Sequence, residues 1–439
     1  MPRRTLPLFL LFAVAATPAL AQDKGGLTVE GSIRARYEAL DGQFRPDAGE
    51  HDDALLIRSD VLAEYRTGGL RIGGELIDSR SYFEDHDSAI GTTEVNALEP
   101  VQAYIGADLS DRASVKLGRF TMALGSQRLV ARARFRNTTN AFTGARFDWK
   151  SHDGLAATLF WTMPQRRLPD DGDGVGDNDV EWDEEGSARQ FFGGDVRLSA
   201  AGGHVELYAY RLAEHDAPGF ASRDRKLWTI GGRYLRKPSA GAFDYDVEAA
   251  WQSGTTRLSS HPDDRTDRSV DAALLHAGVG HSFGASWDPR VAVLFDYASG
   301  DGSGEGYGRF DSLFGSRKHD FGPTSLFGPV SRSNLISPAL RVQAKPAARL
   351  SVDATARLLW LASATDSFAH SGVRDPSGAS GRHAGTQIDA GIRYWLIPDR
   401  LSLDGGAALL AKGRFLKEAP AAPGTGDTHY AYISLTALL

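Results

Sequence analysis

Eight basic side chains and no acidic one lie between Arg112 and Phe147: Arg112, Lys116, Arg119, Arg128, Arg132, Arg134, Arg136 and Arg146. A guanidinium stays charged at any physiological pH and presents a planar fork of donors, so a row of them suits carboxylates held through paired hydrogen bonds. With no acid in the same stretch to neutralise it, the segment is expected to create a positive field that concentrates anions. Arg34 and Arg58 offer the same chemistry earlier in the chain. The expected lining of a conduit for an acidic substrate is therefore Arg119, Arg128, Arg132, Arg134, Arg136, Arg146, Arg34 and Arg58. The competing reading is a solvated wall whose arginines pair with carboxylates such as Glu30, Asp60, Glu64, Asp148 and Asp353.

A second stretch carries the opposite charge. From Asp170 to Asp179 the chain reads Asp-Asp-Gly-Asp-Gly-Val-Gly-Asp-Asn-Asp, followed by Glu181, Asp183, Glu184 and Glu185. Carboxylates separated by Gly let a backbone curl around one hard cation, which makes Asp171, Asp173, Asp177 and Asp179 candidate Ca²⁺ ligands in the manner of a thrombospondin type 3 loop. A self-repelling acidic surface loop accounts for the same composition, and no cofactor is required otherwise. Gly280-His281-Ser282-Phe283-Gly284 matches a nucleophile-elbow spacing, but that motif works at a strand-to-helix turn, whereas here it ends a β-segment before a hairpin turn at Ala285–Pro289. The histidines lack paired metal spacing, and neither a phosphate-binding loop nor a dinucleotide fingerprint occurs. An enzyme is not expected.

The elements that must position these residues are strands. Leu27, Val29, Ile33, Ala35 and Tyr37 alternate with Glu30, Ser32, Arg34, Arg36 and Glu38; Leu350 to Trp360 repeats the pattern against Arg349, Ser351, Asp353, Thr355 and Arg357, as does Val291 to Tyr297 against Arg290 and Asp296. Short turns at Gly68-Gly69, Ser110-Asp111, His152 to Gly154, Ala201 to Gly203, Pro238-Ser239, Ser286 to Asp288, Pro346-Ala347 and Pro398-Asp399 take turns with long polar loops. Those loops run from Asp41 to Asp52, Arg80 to Asn96, Thr121 to Asn140, Met163 to Ala188, Ala213 to Asp224, Thr255 to Val270, Gly300 to Ser333, Ala362 to Ala384 and Lys412 to Asp427. Short and long connections therefore fall on opposite sides, and the segments between them number about eighteen, an even count with both termini on the short-turn side, as in single-chain outer-membrane barrels.

A basic start at Arg3-Arg4, an apolar run from Leu6 to Ala16 and the small-residue pattern Ala19-Leu20-Ala21 read as a signal peptide over residues 1–21. The remainder, 22–439, is expected to be one all-β transmembrane antiparallel barrel. A β-sandwich or propeller also alternates. The alternation of short and long connections, and aromatics near the ends of apolar faces (Tyr37, Trp149, Trp161, Trp228, Tyr394, Trp395), favour the barrel. The chain has no Cys and a formal net charge of −7, with its signs segregated; an exported chain of this length without disulfides fits the periplasm or outer membrane.

Leu117-Gly118-Arg119-Phe120, Gly125 to Val130, Phe135-Arg136-Asn137-Thr138 and Phe142 to Phe147 resemble the most recognisable block of the alginate export family of outer-membrane barrels. A second block, Phe310 to Gly315, His319, Phe321-Gly322 and Ser333-Asn334-Leu335, resembles the same family. The resemblance implies a barrel of eighteen strands with short periplasmic turns, long extracellular loops and an Arg-rich lumen. It further implies passive passage of an anionic polysaccharide or acidic oligosaccharide; a general anion-preferring small-solute porin is the alternative. The expected place is the bacterial outer membrane. The expected partners are outer-membrane lipid and lipopolysaccharide, acidic polysaccharide, the barrel-assembly machinery and periplasmic export partners, with no nucleic acid.

Overall fold

Period-two sequence becomes period-two structure. The computed structural model describes residues 25–439 except His86; the expected signal peptide lies outside the described residues. The strands are β1 (Gly26–Asp41), β2 (His51–Thr67), β3 (Leu70–Tyr82), β4 (Asn96–Ser110), β5 (Ala113–Phe120), β6 (Phe142–Lys150), β7 (Ala156–Pro164), β8 (Arg189–Ala200), β9 (Gly203–Glu214), β10 (Lys226–Arg236), β11 (Phe243–Thr256), β12 (Arg268–Ser282), β13 (Arg290–Ala298), β14 (Leu335–Ala347), β15 (Leu350–Trp360), β16 (His383–Ile397), β17 (Leu401–Lys412) and β18 (Thr428–Leu438). Each pairs antiparallel with its neighbours in sequence, and β1 closes on β18 from Ser32↔Leu438 to Asp41↔His429. Closure leaves no strand edge unpaired, which is the condition for a sheet to sit in hydrocarbon.

The faces are inverted relative to a soluble sheet. Leu27, Val29, Ile33 and Tyr37 of β1 are exposed on the outside, while Arg36 and Glu38 are 1% and 0% exposed on the inside. On β15 Leu358 faces out and Arg357 faces in, fully buried. Charged residues inside and large apolar residues outside make sense only with lipid around the wall and polar partners in the lumen, so the sandwich alternative falls. Among the described residues no helix is long and apolar enough to cross a membrane.

Amphipathic rings mark two levels of the outer face. Trp161 and Trp251, near the long-loop ends of their strands, donate through Nε1 to Gln190 at 3.2 Å and Asp271 at 2.8 Å. At the short-turn end the Tyr234 hydroxyl donates to the Ala201 carbonyl at 3.0 Å, a polar tip on an apolar body that suits a headgroup level. The short connections fall at or within a few residues of where expected. Pro346 lies within β14, where the register slips between Ala344 and Ala347, and the turn follows at Ala348-Arg349. Without an N–H, Pro is tolerated at such an irregularity.

The buried apolar cluster is inside the barrel and is supplied by inward faces of the strands and by loops together. Phe310, Phe321, Leu326, Phe327 and Val330 of the 299–334 loop are buried with Met122, Leu129 and Val130 of the 121–141 loop. Phe314 packs against Phe142 and Phe191 of the wall, with ring centroids 5.3 and 5.0 Å apart. Both loops therefore enter the lumen and are packed there, instead of standing in solvent.

A candidate conduit across the lumen

The 121–141 loop is held by the wall behind it. Arg34 of β1 donates from Nη1 to the carbonyls of Arg134 (3.2 Å) and Phe135 (3.1 Å), and from Nη2 to the carbonyl of Arg136 (3.0 Å) and to Asn137 Oδ1 (3.1 Å). Arg58 of β2 reaches the Arg134 carbonyl at 3.2 Å, and Arg36 reaches that of Phe135 at 2.7 Å. Arg34 and Arg58 thus act first as clamps on this loop. Asn137, fully buried, donates to the carbonyls of Glu94 (2.8 Å), Ile57 (3.2 Å) and Arg80 (3.3 Å), and Ser79 donates back to its own carbonyl at 2.7 Å.

The 299–334 loop meets it from the opposite side. Val130 and Phe314 form a parallel bridge, with Phe314 N–H donating to the Leu129 carbonyl (2.9 Å) and Ala131 N–H to the Phe314 carbonyl (3.0 Å). A Cβ on Gly315 would overlap the Arg128 carbonyl, so only Gly permits this approach. The loop is tied to the wall by Gln252 of β11, which donates to the Asp311 carbonyl at 2.7 Å, and to neighbouring loops by Arg225, 2.7 Å from the Asp311 carboxylate, and by Asn334, which donates to the Ser363 and Ser367 carbonyls.

The expectation of an uncompensated positive block is corrected by the fold. Acids distant in sequence reach it: Arg119 pairs with Glu99 and Glu185, both at 2.6 Å. Arg132 pairs with Glu75, and Arg146 with Asp148 at 2.7 Å. Arg128 meets Glu248 (2.7 Å), Asp246 (2.9 Å) and Asp320 (2.9 Å). Burial opposes charge on Arg128, but those carboxylates outweigh it and raise its pKa well above the ordinary value. Asp60 and Glu64 pair with Arg58 and Arg66. Barrel closure places opposite walls in reach, which sequence proximity does not register. The Arg134 guanidinium is exposed and, among the described residues, makes no ion pair or hydrogen bond.

Uncompensated charge gathers instead towards the long-loop end. A cavity of about 360 Å³ there is lined by Arg136, Arg166, Arg167, Arg189 and Arg225 and by one acid, Asp170, which Arg166 holds. Arg136 donates to Asn140 Oδ1 at 2.6 Å; Arg167 donates to the same oxygen at 3.0 Å and to the Thr92 carbonyl at 2.8 Å. Arg189 donates to the Pro164 carbonyl at 3.2 Å. All three bond neutral oxygens, whereas Arg166 and Arg225 are paired with acids. The Nε atoms of Arg136 and Arg189 are buried without an acceptor. Burial, then Arg167 and Arg317, hold the Arg136 pKa well below the ordinary value. Burial also draws Arg45 and Arg317 down to about 10. The imidazole of His370 is pushed down to about 3, foremost by Arg317, then by burial, Arg45, Arg309 and Arg136. Sequence reasoning found Arg136 but missed Arg167 and Arg189, which flank the acidic stretch and look compensated in the linear chain.

The acidic stretch does not converge. Residues Gly172–Asp177 form a one-turn helix, α1, capped by Asp171 Oδ1, which accepts from Gly174 N–H at 2.8 Å. Among the described residues no group of three or more His, Asp or Glu is placed to hold a metal ion, so Asp171, Asp173, Asp177 and Asp179 are not brought into one ligand set. A carboxylate used as a helix cap is turned towards the backbone, and a helical turn fans its neighbours apart. Asn178 locks the segment to β3, exchanging 2.8 Å hydrogen bonds with the Ser81 main chain. Ser282 ends β12 before the Phe283 to Pro289 turn, with no helix to make it a nucleophile elbow.

Residues 26–426 match the family described as Alginate export. No curated protein matches the chain in sequence. Solved barrels match in fold: OccAB1 of Acinetobacter baumannii has a TM-score of 0.63 at 11% identity, covering 94% of this chain and 96% of that one. A BenF-like porin from Pseudomonas fluorescens Pf-5 gives 0.61 at 11% identity, covering 94% and 99%. OpdO of Pseudomonas aeruginosa gives 0.59 at 16% identity, covering 94% and 97%. At such identities the likeness is one of fold.

Proposed function

The chain belongs to the alginate export family, and on that premise we propose that it is an outer-membrane channel through which an anionic polysaccharide or acidic oligosaccharide, alginate-like in carrying uronate carboxylates, passes by diffusion. The observation that carries this reading is the cavity at the long-loop end, which Arg136, Arg167 and Arg189 line while hydrogen-bonding only neutral oxygens. Guanidiniums that outnumber the acids of their cavity and make no ion pair of their own favour an incoming anion, and their planar forks match carboxylates in two-point contact. The arginines paired across the lumen keep the walls near neutral, so attraction is concentrated at the mouth and the polymer is not held along its whole path. A channel must bind well enough to admit its substrate and weakly enough to release it.

One feature favours the small-solute alternative: Arg119, Arg128, Arg132 and Arg146 are each neutralised by carboxylates, as in a mixed-charge porin wall. Planar-bilayer recordings separate the readings. Oligouronates should block current in wild type at low salt, and the double variant Arg136→Ser, Arg167→Ser should lose both the block and part of the anion preference. Equal block in the variant, or no block in wild type, would leave only an anion-preferring porin.

A further inference from the structure

Asp320 sits in a short helical turn, α2 (Lys318–Phe321), inside the lumen. Its carboxylate accepts from Arg128 twice, Oδ2 from Nε at 2.9 Å and Oδ1 from Nη2 at 3.2 Å, and also from Arg332 Nη2. Its main-chain carbonyl accepts from Arg341 Nη2 at 2.8 Å and from Arg357 Nη2. Arg332 and Arg357 each lie 5.1 Å from the Phe321 ring centroid, and Gln387 donates to the Phe321 carbonyl at 2.9 Å. Four guanidiniums from one loop partner, the same loop and two wall strands thus converge on one residue.

The two-point contact between Arg128 and Asp320 is the contact a substrate carboxylate would make. Asp320 is itself borne by the loop that fills the lumen, the one contributing Phe310, Phe321, Leu326 and Phe327 to the buried cluster. We propose that the Arg128–Arg332 pair is an anion-binding site for a uronate carboxylate, that Asp320 is its tethered occupant, and that exchange of one for the other releases the 299–334 loop from the 121–141 loop. This rests on the acidic-polysaccharide reading above.

The tether sets the selectivity. A carboxylate attached to the site's own loop acts at an effective concentration of order millimolar or more, so a free monouronate at lower concentration loses the competition. A polymer differs because one residue held in the mouth delivers its neighbours at a comparable local concentration. The two sites adjoin through the same residues: Leu313, Phe314 and Gly315 line the mouth cavity, and Gly315 lies against the Arg128 carbonyl. The latch therefore passes chains and resists monomers.

Conductance of the full-length barrel in planar bilayers, with glucuronate monomer and with long oligouronates, tests this. Wild type should keep a small open level with monomer; with oligomers the open level between blocking events should rise severalfold. Asp320→Asn should show the larger conductance without any uronate and lose the dependence on length. A second measurement needs no variant: proteolysis of the 299–334 loop in wild type should quicken with oligomers and not with monomer. Wild-type conductance and length dependence in Asp320→Asn, or loop cleavage indifferent to oligomers that do block the channel, would overturn the proposal. If no uronate binds wild type but Asp320→Asn still opens, the substrate reading fails and the tethered latch stands.

Discussion

Val130 and Phe314 form a bridge across the lumen, joining two loops with the eight strands β6 to β13 between them into a two-bond parallel ladder. The bridge depends on its neighbour, since Gly315 lies against the Arg128 carbonyl with no room for a Cβ. Gly315→Ala should therefore push the 299–334 loop off the 121–141 loop. Strand pairing is untouched, so the barrel should still run as a heat-modifiable band, while single-channel conductance rises. Unchanged conductance in the folded variant would mean that the two loops do not set the constriction.

Asn137 gives a second, independent handle on the same loop. Its side chain satisfies three wall and loop carbonyls and accepts from Arg34. Asn137→Ala leaves those buried groups unpaired, at a cost of about 1–3 kcal/mol. That cost falls on the loop and not on the ladder. Protease sites within residues 121–141 should open while the strand core stays protected in hydrogen exchange. Equal protection of the loop in both proteins would show that Arg34 and Arg58 suffice to hold it.

Acidity should tighten a different segment. Asp183, in the loop after β7, is pushed up to about 6, chiefly by burial, against hydrogen bonds from Leu168 N–H (3.1 Å) and Asn96 (3.0 Å) and the nearby Arg167. A folded-state pKa above the unfolded value means that the protonated form is the favoured one. The stabilisation is full below the ordinary carboxyl range and is lost as pH rises through about 6. Hydrogen exchange in residues 165–188, corrected for intrinsic rates, should be slower at about pH 5 than at about pH 7.5. Asp183→Asn should remove the difference. A difference that persists in the variant would point to another group.

The barrel was legible because its signal is local. Tyr82 and Asn96 end β3 and begin β4 within two residues of the loop bounds read from alternation, since a lipid-facing strand must alternate along its own length. The long inward loops were legible as length and composition, but their contents were not. Glu75, Glu99, Asp246 and Glu248 reach the arginine block from strands near and far in sequence, and no window on the chain contains both partners. Asp320 stood between His319 and Phe321, both of which belong to a recognised block, yet its role appears only when Arg128 is brought beside it. The acidic stretch differs in the other sense. Spacing along the chain suggested a shared cation, whereas in the fold Asp171 caps α1 and Asn178 is locked to β3.

The contrast between Arg128 and Arg134 tests how far charge alone explains the conduit. Both belong to the same acid-free block, but Arg128 is buried against three carboxylates and Arg134 is exposed with no partner among the described residues. Arg128→Ser strips Glu248 of its ion pair and leaves Asp246 and Asp320 with only Arg233 and Arg332 as guanidinium partners, and removing one side of a buried pair costs about 3–5 kcal/mol. Less folded barrel should be recovered, and the barrel that folds should lose anion preference or turn cation-preferring. Arg134→Ser should shift stability by no more than about 0.5 kcal/mol, as surface changes usually do. Its effect on selectivity should be small and should vanish at about 1 M salt, where the screening length falls to about 3 Å. Reversal potentials across a salt gradient, read beside the heat-modification midpoint, check both variants. A larger loss of anion preference in Arg134→Ser than in Arg128→Ser would mean that the free guanidinium, and not the paired network around Asp320, governs passage.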